Sequence, residues 1–330
     1  MRVTDELTGQ FESQRGQSGH PQNLDIPQED SDKMSEDPSF FLPPKPSSLL
    51  GYHRILSPTA AVKVSPLALG GLSLGNAWSA TYGRNEEPEK LLDAYISLGG
   101  NFLDISNADH AEETEKIVGE WMQKRNNRDQ MVIATKYTAG YKKHDRANVP
   151  LQSNYAGNSA KSLHISVRDS LQKLATEYID LLYVQWWDFA TSVEEVMRHL
   201  HALVMDRQVL YLGISNAPAW VVVKANMFAR TNGLTPFSVY QGKWNAGFRD
   251  LEAEIVLMCE DQGMGIVPYG VFGGGQLRTS LQREADRSAG AALAGTTRKP
   301  KFMSERHIKL SEVLEDIGQE HGTSLQAVVR

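Results

Sequence analysis

The sequence is poor in cysteine, in long apolar runs and in excess positive charge. Its single cysteine, Cys259, excludes an internal disulfide framework and suits a reducing compartment. This residue lies in the helix-like stretch EIVLMCEDQG, which predicts a buried structural thiol rather than a nucleophile. No apolar run approaches the ~20 residues that a membrane-spanning helix needs. The N-terminal stretch MRVTDELTGQFESQ lacks the apolar core of a secretory signal, so we predict a cytoplasmic protein without a membrane partner.

The charge balance is mildly acidic. The 330 residues include 34 Lys and Arg against 40 Asp and Glu, a formal net charge of −6. A nucleic-acid-binding protein usually carries a basic face, so we predict no nucleic-acid partner. The hydrophobic fraction of 41% is that of a globular protein and predicts a sizeable core.

The first 48 residues differ in composition from the rest of the chain. Asp, Glu, Ser, Gln and Pro dominate them, and the segment includes the proline-rich stretch FFLPPKPSS. Such a segment buries too little apolar surface to offset the entropy of ordering it. We therefore predict a disordered acidic and proline-rich arm at 1–48, followed by a folded domain at 49–330.

Short apolar runs alternate with longer amphipathic ones from about Tyr52 onward, and the alternation predicts strands followed by helices. Ser159 is a predicted helix cap, and Ser192 with Glu195 has the spacing of a capping box. The predicted strands are 62–71, 101–105, 130–136, 178–185, 209–215, 237–241 and 265–269. The predicted helices between them are 86–100, 112–125, 159–174, 192–206, 217–231 and 250–263.

This regular alternation predicts an α/β fold with a parallel sheet, and a (β/α)8 TIM barrel fits better than an open doubly wound sheet. A dinucleotide-binding sheet of the second kind would open on a G-x-G-x-x-G fingerprint, and LGGLSLGNAW lacks that context. Residues 273–300 predict a mobile loop with some helix, and a final helix follows. We expect a barrel lacking its last strand and helix, with an open edge that promotes association.

Polar side chains end most of the predicted strands. If Lys136 is buried there, its charge needs a partner, and Asp104 is the obvious one. The simpler interpretation is ordinary loop polarity. Alternatively, a flat cofactor lies across these strand ends, with Asn216 and Gln241 on a carboxamide and Tyr269 stacked on a ring. Backbone N–H groups of VFGGGQ would then meet phosphate oxygens, although a glycine triplet is more often only a flexible loop.

Several stretches, in collinear order over about residues 52–330, resemble the aldo-keto reductase family. They include GGNFLDISNA, IDLLYVQWWD, VLYLGISNAPAWVV and VFGGGQLR. Within the family they are most similar to the fungal aryl-alcohol dehydrogenase and norsolorinic acid reductase-like branch. The resemblance implies an NADP-dependent TIM-barrel oxidoreductase that reduces a bulky or aromatic aldehyde or ketone of the secondary-metabolite type to an alcohol.

The resemblance also implies roles for residues. It places the family's catalytic aspartate at Asp104 and its lysine at Lys136, with no metal. The family's proton-donating tyrosine falls at Asp109 and its histidine at Gln185, so these four positions are the candidate catalytic set. The implied NADP(H) contacts are Asp104, Ser215, Asn216, Gln241, Tyr269, Gly270, Val271, Phe272, Gly273, Gly274, Gly275, Gln276, Leu277, Arg278 and Ser280.

Asp109 is a different acid from a tyrosine. A carboxyl group has an ordinary pKa of about 3.9, and keeping it protonated at pH 7 would cost about 4 kcal/mol. We therefore expect an ionised, ion-paired Asp109 that donates protons poorly. His110, Tyr82, Tyr137 or water is a possible replacement, although His110 in a loop is more often solvent-exposed. Two hypotheses follow: a working reductase, or an impaired or inactive paralogue that acts at most as a binding protein.

Overall fold

The computed structural model describes residues 45–292 and 304–329. The predicted disordered arm falls almost wholly outside this range and stays a prediction. Within the described residues, seven parallel strands form one sheet in chain order. These strands are β3 (Leu69–Gly70), β4 (Phe102–Asp104), β5 (Val132–Tyr137), β6 (Ile179–Val184), β7 (Val209–Ser215), β8 (Val239–Lys243) and β9 (Gly265–Tyr269).

Helices connect the strands, and the predicted α/β fold of a partial TIM barrel is confirmed. Within the same described ranges, β3 and β9 are the edge strands of the sheet, as expected for a barrel without its last strand. The helices are α1 (Ser79–Tyr82), α2 (Pro88–Ser97), α3 (Glu113–Arg125), α4 (Ala160–Leu174), α5 (Val193–Met205), α6 (Ala219–Thr231), α7 (Ile255–Gln262), α8 (Ser280–Ala292), α9 (Glu305–Glu320) and α10 (Leu325–Val328).

The first predicted strand, 62–71, is divided in the structure. Its beginning belongs to an antiparallel hairpin of β1 (Arg54–Ser57) and β2 (Ala60–Val64), while its end forms β3. Pro66 lies between the two parts, and proline cannot donate a hydrogen bond to a strand ladder. A single apolar run therefore becomes two elements.

The hairpin covers the N-terminal end of the sheet. Thr59 donates a hydrogen bond to the Gly263 carbonyl, which lies just before β9. Gly265 begins β9, and a Cβ on it would lie 2.3 Å from the Leu56 carbonyl oxygen, so only glycine allows this approach. The opposite, C-terminal edge of the strands is left for the site.

Side-chain alternation divides the core into two layers. Val132, Ala134, Leu181 and Tyr183 belong to an apolar cluster inside the curled sheet, together with Val64 of the hairpin. The intervening residues, such as Ile133 and Leu182, belong to the larger cluster that includes the helices. Both faces of the central strands are therefore covered, which explains their continuous apolar runs.

The helix caps agree with the sequence in part. The Ser159 hydroxyl accepts from the Ser162 N–H at 3.3 Å, and the Ser192 hydroxyl accepts from the Glu195 N–H at 3.1 Å. The carboxylate of Glu195 accepts from the Ala160 N–H at 2.9 Å and so caps α4. Every helix in residues 45–292 and 304–329 is too short or too polar to cross a membrane.

Candidate active site

Six polar or aromatic side chains line the inner C-terminal edge of the sheet. Because strand residues alternate between faces, a residue two positions after an inward-facing one also faces inward. The inward pairs are Phe102 and Asp104, Ala134 and Lys136, Tyr183 and Gln185, Gly213 and Ser215, Val239 and Gln241, and Val267 and Tyr269.

Asp104 and Lys136 form the centre of this edge. The Lys136 ammonium lies 2.7 Å from Asp104 Oδ1 and donates to the Ile105 carbonyl at 2.9 Å. The Gln241 amide donates to the same Asp104 oxygen at 3.1 Å. Lys136 is only 7% exposed, so its charge requires the carboxylate. The predicted ion pair is confirmed.

Tyr183 lies beneath this pair and was not among the predicted site residues. It is the cross-strand neighbour of Lys136, whose Nζ is 5.5 Å from the centre of the Tyr183 ring. Burial raises the pKa of Tyr183 well above its ordinary value, the negative charge of Asp104 adds to this, and the Gln241 amide opposes it. On its other side the ring packs on Gly213. It fits there because glycine has no Cβ, which would lie only 2.5 Å from the ring. Strand alternation from Gln185 is the sequence signal that identifies Tyr183.

Among the described residues, Asp109 does not form the ion pair expected for it. Its carboxylate accepts from the Ser106 N–H at 2.9 Å and from the Ser106 hydroxyl at 2.7 Å, while Lys136 pairs with Asp104. Burial raises the pKa of Asp109, and it outweighs the opposing effects of Lys136 and Ser106. We expected Lys136 to keep the pKa of Asp109 low, but the effect of burial is larger and the pKa is raised. In the structure this carboxylate is hydrogen-bonded to Ser106, a neutral residue, and not to a lysine.

The backbone directly after Asp109 forms a left-handed turn. His110, Ala111 and Glu112 have φ angles of 48°, 56° and 76°, and none of them is glycine. Left-handed backbone costs such residues about 1–2 kcal/mol each. A conformation of this kind persists only where the surroundings hold it.

His110 is buried, not solvent-exposed as predicted. It is 0% exposed and stacks on Trp78 with ring centres 5.2 Å apart. Its Nδ1 accepts from the Trp78 N–H at 3.1 Å, and its Nε2 lies 2.8 Å from the Leu72 carbonyl. The neutral ring protonated on Nε2 satisfies both contacts. Both ring nitrogens are therefore used by contacts within the fold.

Gln185 and the two tryptophans follow β6. The Gln185 carbonyl accepts from the Asn216 side chain at 3.3 Å, and Gln185 Oε1 is buried with no hydrogen-bond partner among the described residues. Trp186 is 49% exposed, whereas Trp187 is buried in the core. The first tryptophan thus offers a surface to a ligand and the second does not.

Three predicted cofactor contacts, Ser215, Asn216 and Tyr269, are joined by hydrogen bonds. Asn216, with a φ of 52°, donates to the Ser215 hydroxyl at 2.9 Å and accepts from the Tyr269 hydroxyl at 3.0 Å. Tyr269 remains 40% exposed. Amide and hydroxyl groups beside an exposed aromatic face are a suitable surface for a flat ring that carries a carboxamide.

The predicted phosphate loop, residues 270–280, leads into α8. The N–H and hydroxyl of Ser280 both donate to the carboxylate of Glu315, at 2.8 and 2.9 Å. The Arg278 guanidinium pairs with Asp286 and donates to the Gly275 carbonyl. Carboxylates thus occupy donors that also suit phosphate oxygens. The donor set fits the phosphates of a dinucleotide, which would have to displace these two side chains.

Residues 66–330 match the sequence profile of the aldo/keto reductase family. The chain belongs to the aldo/keto reductase family. Norsolorinic acid reductase A of Aspergillus parasiticus is 50% identical over 289 residues, 87% of this chain and 71% of that protein. A putative aryl-alcohol dehydrogenase of Saccharomyces cerevisiae is 48% identical over 282 residues, 85% of this chain and 74% of its own length. The aryl-alcohol dehydrogenase [NADP(+)] of Phanerodontia chrysosporium is 45% identical over 285 residues, 84% of this chain and 74% of its own.

For this aldo/keto reductase, the fold thus brings the predicted residues of the strand ends to one edge, while Asp109 is hydrogen-bonded to Ser106 and His110 to Trp78 and Leu72. In the part of the chain that the structure describes, no group of three or more His, Cys, Asp or Glu side chains is placed to hold a metal ion. Cys259 is buried, as predicted, and burial raises the pKa of its thiol to about 12. It is a core residue of the reductase.

Proposed function

We propose that this aldo/keto reductase uses NADPH to reduce a bulky or aromatic aldehyde or ketone to an alcohol. The observation that carries the proposal is the buried Lys136–Asp104 pair, joined by Gln241, at the ligand-accepting edge of a parallel sheet. The names of the relatives, reductases of norsolorinic acid and dehydrogenases of aryl alcohols, support the substrate class. A cytoplasmic location stays a prediction.

The cofactor contacts are proposed from the fit of the donor set. Ser215, Asn216 and Gln241 would hold the carboxamide, Tyr269 would lie on the nicotinamide, and residues 270–280 would hold the phosphates. NADPH, when bound, supplies the hydride for the carbonyl carbon. The protein's own part is to bind the substrate beside these groups and to stabilise the charge that develops on the carbonyl oxygen.

Lys136 is the proposed stabiliser of that oxygen. Of its three N–H groups, two are used within the described residues, on Asp104 and on the Ile105 carbonyl. The third N–H can donate to the carbonyl oxygen, and the Gln185 amide can donate a second hydrogen bond. Fixed donors at a developing negative charge are a major source of rate acceleration.

Water is the proposed source of the proton. Both nitrogens of His110 are used by the fold, and Tyr137 is buried. Asp109 is held on Ser106. A positioned general acid contributes about 10²–10⁴ in rate, so protonation by water predicts slow turnover.

Exposed aromatic rings support a flat substrate. Trp186 is 49% exposed and Phe189 is 67% exposed, and both lie in the segment after β6. An aromatic carbonyl compound can stack on such faces, and each stacked pair contributes about 0.5–1.5 kcal/mol beyond the buried area.

A second candidate is a binding protein with little or no turnover. The contacts of Asp109 with Ser106 and of His110 with Trp78 and Leu72 favour it, because they withdraw the two nearest titratable groups from the substrate. Such a protein would retain the cofactor contacts and lack efficient proton transfer.

One experiment separates these candidates. Purified protein is titrated with NADPH by fluorescence and then assayed for NADPH oxidation with an aromatic aldehyde. We expect binding and slow turnover, with turnover reduced at least about 10²-fold in Lys136→Met. The matched control is Lys90→Met, which removes an exposed lysine paired with Glu87. Binding without turnover favours the second candidate, and absence of NADPH binding overturns both.

A further inference from the structure

The left-handed turn at residues 110–112 is held from both ends by groups outside it. At the first end, His110 is fixed by Trp78 and Leu72. At the other end, the buried Glu112 accepts from Lys142 Nζ with both carboxylate oxygens, at 2.8 and 3.0 Å. Neither the family's hydride chemistry nor the proposed cofactor contacts use Glu112.

A second cation completes the ion-pair cluster. Lys173 of α4 lies 3.1 Å from Glu112 and 2.7 Å from Glu115. Burial alone would lower the pKa of Lys173. The carboxylates of Glu115 and Glu112 together have a larger, opposite effect, so the pKa is raised and the ammonium stays charged. Two carboxylates and two ammonium groups therefore balance in a largely buried site, and His144 lies 3.6 Å from Glu112 at its edge.

The cluster connects three parts of the fold. Lys142 belongs to the segment after β5, Lys173 belongs to α4, and Glu112 directly precedes α3. The turn that Glu112 ends begins after Asp109, whose carboxylate lies on Ser106. Asp109 directly precedes this turn, so we expect a change of the backbone at 110–112 to shift the Asp109 side chain as well.

We propose that Glu112 is a positioning residue of the site: its ion pairs with Lys142 and Lys173 hold the left-handed turn, and the turn keeps the Asp109 carboxylate on Ser106 and away from Lys136. Asp109 already lies within the electrostatic influence of both Lys136 and Asp104. When the turn relaxes, Asp109 reaches Lys136 and competes with Asp104 and with the carbonyl oxygen of a substrate.

The first test follows Asp109 itself and needs no cofactor. The carboxyl carbon of Asp109 is titrated by NMR, its signal identified by its loss in Asp109→Asn. In Glu112→Gln we expect the pKa of Asp109 to fall relative to the wild type, because the carboxylate gains Lys136 as a neighbour. The control is Glu120→Gln, which removes the same charge from an exposed position of α3. We expect no change in that variant.

An unchanged pKa of Asp109 in a folded Glu112→Gln protein overturns the proposal. If that variant does not fold, Lys142→Met replaces it, because Lys142 is the more exposed of the two lysines and its loss also weakens the hold on Glu112. The same fall in the pKa of Asp109 is expected there, and no fall overturns the proposal.

The second test uses turnover and rests on the proposed function. We expect Glu112→Gln to lower kcat for NADPH-dependent reduction about tenfold and to have no further effect when Asp109 is already Asn. A merely structural role would cost the same factor in both backgrounds, and equal losses therefore overturn the proposal. If the wild type binds no NADPH, the proposed function fails while the NMR test still decides the role of Glu112.

Discussion

Asp104 and Asp109 have different environments although they lie only five residues apart in the chain. Asp104 has Lys136 and the Gln241 amide as partners, which are the contacts of an ionised carboxylate. Asp109 has a hydroxyl and one N–H, and its pKa is raised by burial. Identical side chains thus differ because one of them lies on a strand and the other precedes a left-handed turn.

The raised pKa of Asp109 predicts a pH-dependent effect of Asp109→Asn. Folding favours the protonated form, so the stability that Asp109 contributes is present below its unfolded pKa of about 3.9 and is lost as pH rises through the folded pKa. The variant cannot ionise. We expect the free energy of unfolding of the variant, relative to wild type, to increase as pH rises from about 4 and then to level off. Urea unfolding at a series of pH values measures this difference, and a constant difference contradicts it.

The sequence was sufficient to predict Asp104 with Lys136, because the C-terminal ends of neighbouring parallel strands meet at one edge. It was insufficient for Asp109 and His110. A left-handed turn without glycine has no local sequence signal, and the groups that hold it, Lys142 and Lys173, lie about 30 and 60 residues away along the chain. Long-range contacts hold this turn, those of Glu112 with the two lysines and those of His110 with Trp78 and Leu72.

At the level of elements, a protein carboxylate occupies the hydrogen-bond donors at the N-terminus of α8. Ser280 begins this helix and donates to Glu315 of α9 with both its N–H and its hydroxyl. A helix N-terminus favours negative charge, and a cofactor phosphate and the Glu315 carboxylate would claim the same donors.

Glu315→Gln is therefore expected to strengthen NADPH binding. The change removes a negative charge that both occupies Ser280 and repels a phosphate, and such a charge at a helix N-terminus contributes about 0.3–1 kcal/mol. Fluorescence titration of NADPH measures the dissociation constant. The control is Glu320→Gln, which removes an exposed carboxylate at the end of α9, the helix that also contains Glu315. Weaker or equal binding in Glu315→Gln would mean that the phosphate does not lie at Ser280.

Helices and strands were predictable where one hydrophobic period runs through the whole element. The prediction failed where a single residue interrupts that period. Helices α2 to α6 follow their amphipathic patterns closely, and β5 and β6 follow continuous apolar runs. The run at 62–71 has the right composition for one strand, but Pro66 divides it. Ser192 caps its own helix as predicted, whereas Glu195 caps a neighbouring one, a pairing that no local spacing indicates.

At the level of the whole molecule, protection of the sheet is uneven across its width. All residues of β5 and β6 are buried, whereas β9 has no buried residue. The other edge strand, β3, contains only two residues. Edge strands open at lower free energy than central ones.

Hydrogen exchange should follow this gradient. We expect amides of β6 and β7 to exchange at least about tenfold more slowly than those of β9, because the edge opens without unfolding the centre. Mass spectrometry of peptides from the exchanged protein resolves the strands. Equal protection of β9 and β6 would indicate that another chain or segment covers this edge in solution.

The fit of Tyr183 against Gly213 has a consequence for how the site can vary. Glycine at 213 is required by the volume of the ring and not by an unusual backbone angle, so any side chain there displaces the phenol beneath Lys136. Trp186 and Phe189, in contrast, are exposed and constrained little by neighbours. In a library of variants, we therefore expect Tyr183 and Gly213 to stay unchanged. We expect changes that admit new carbonyl substrates to occur at Trp186 and Phe189.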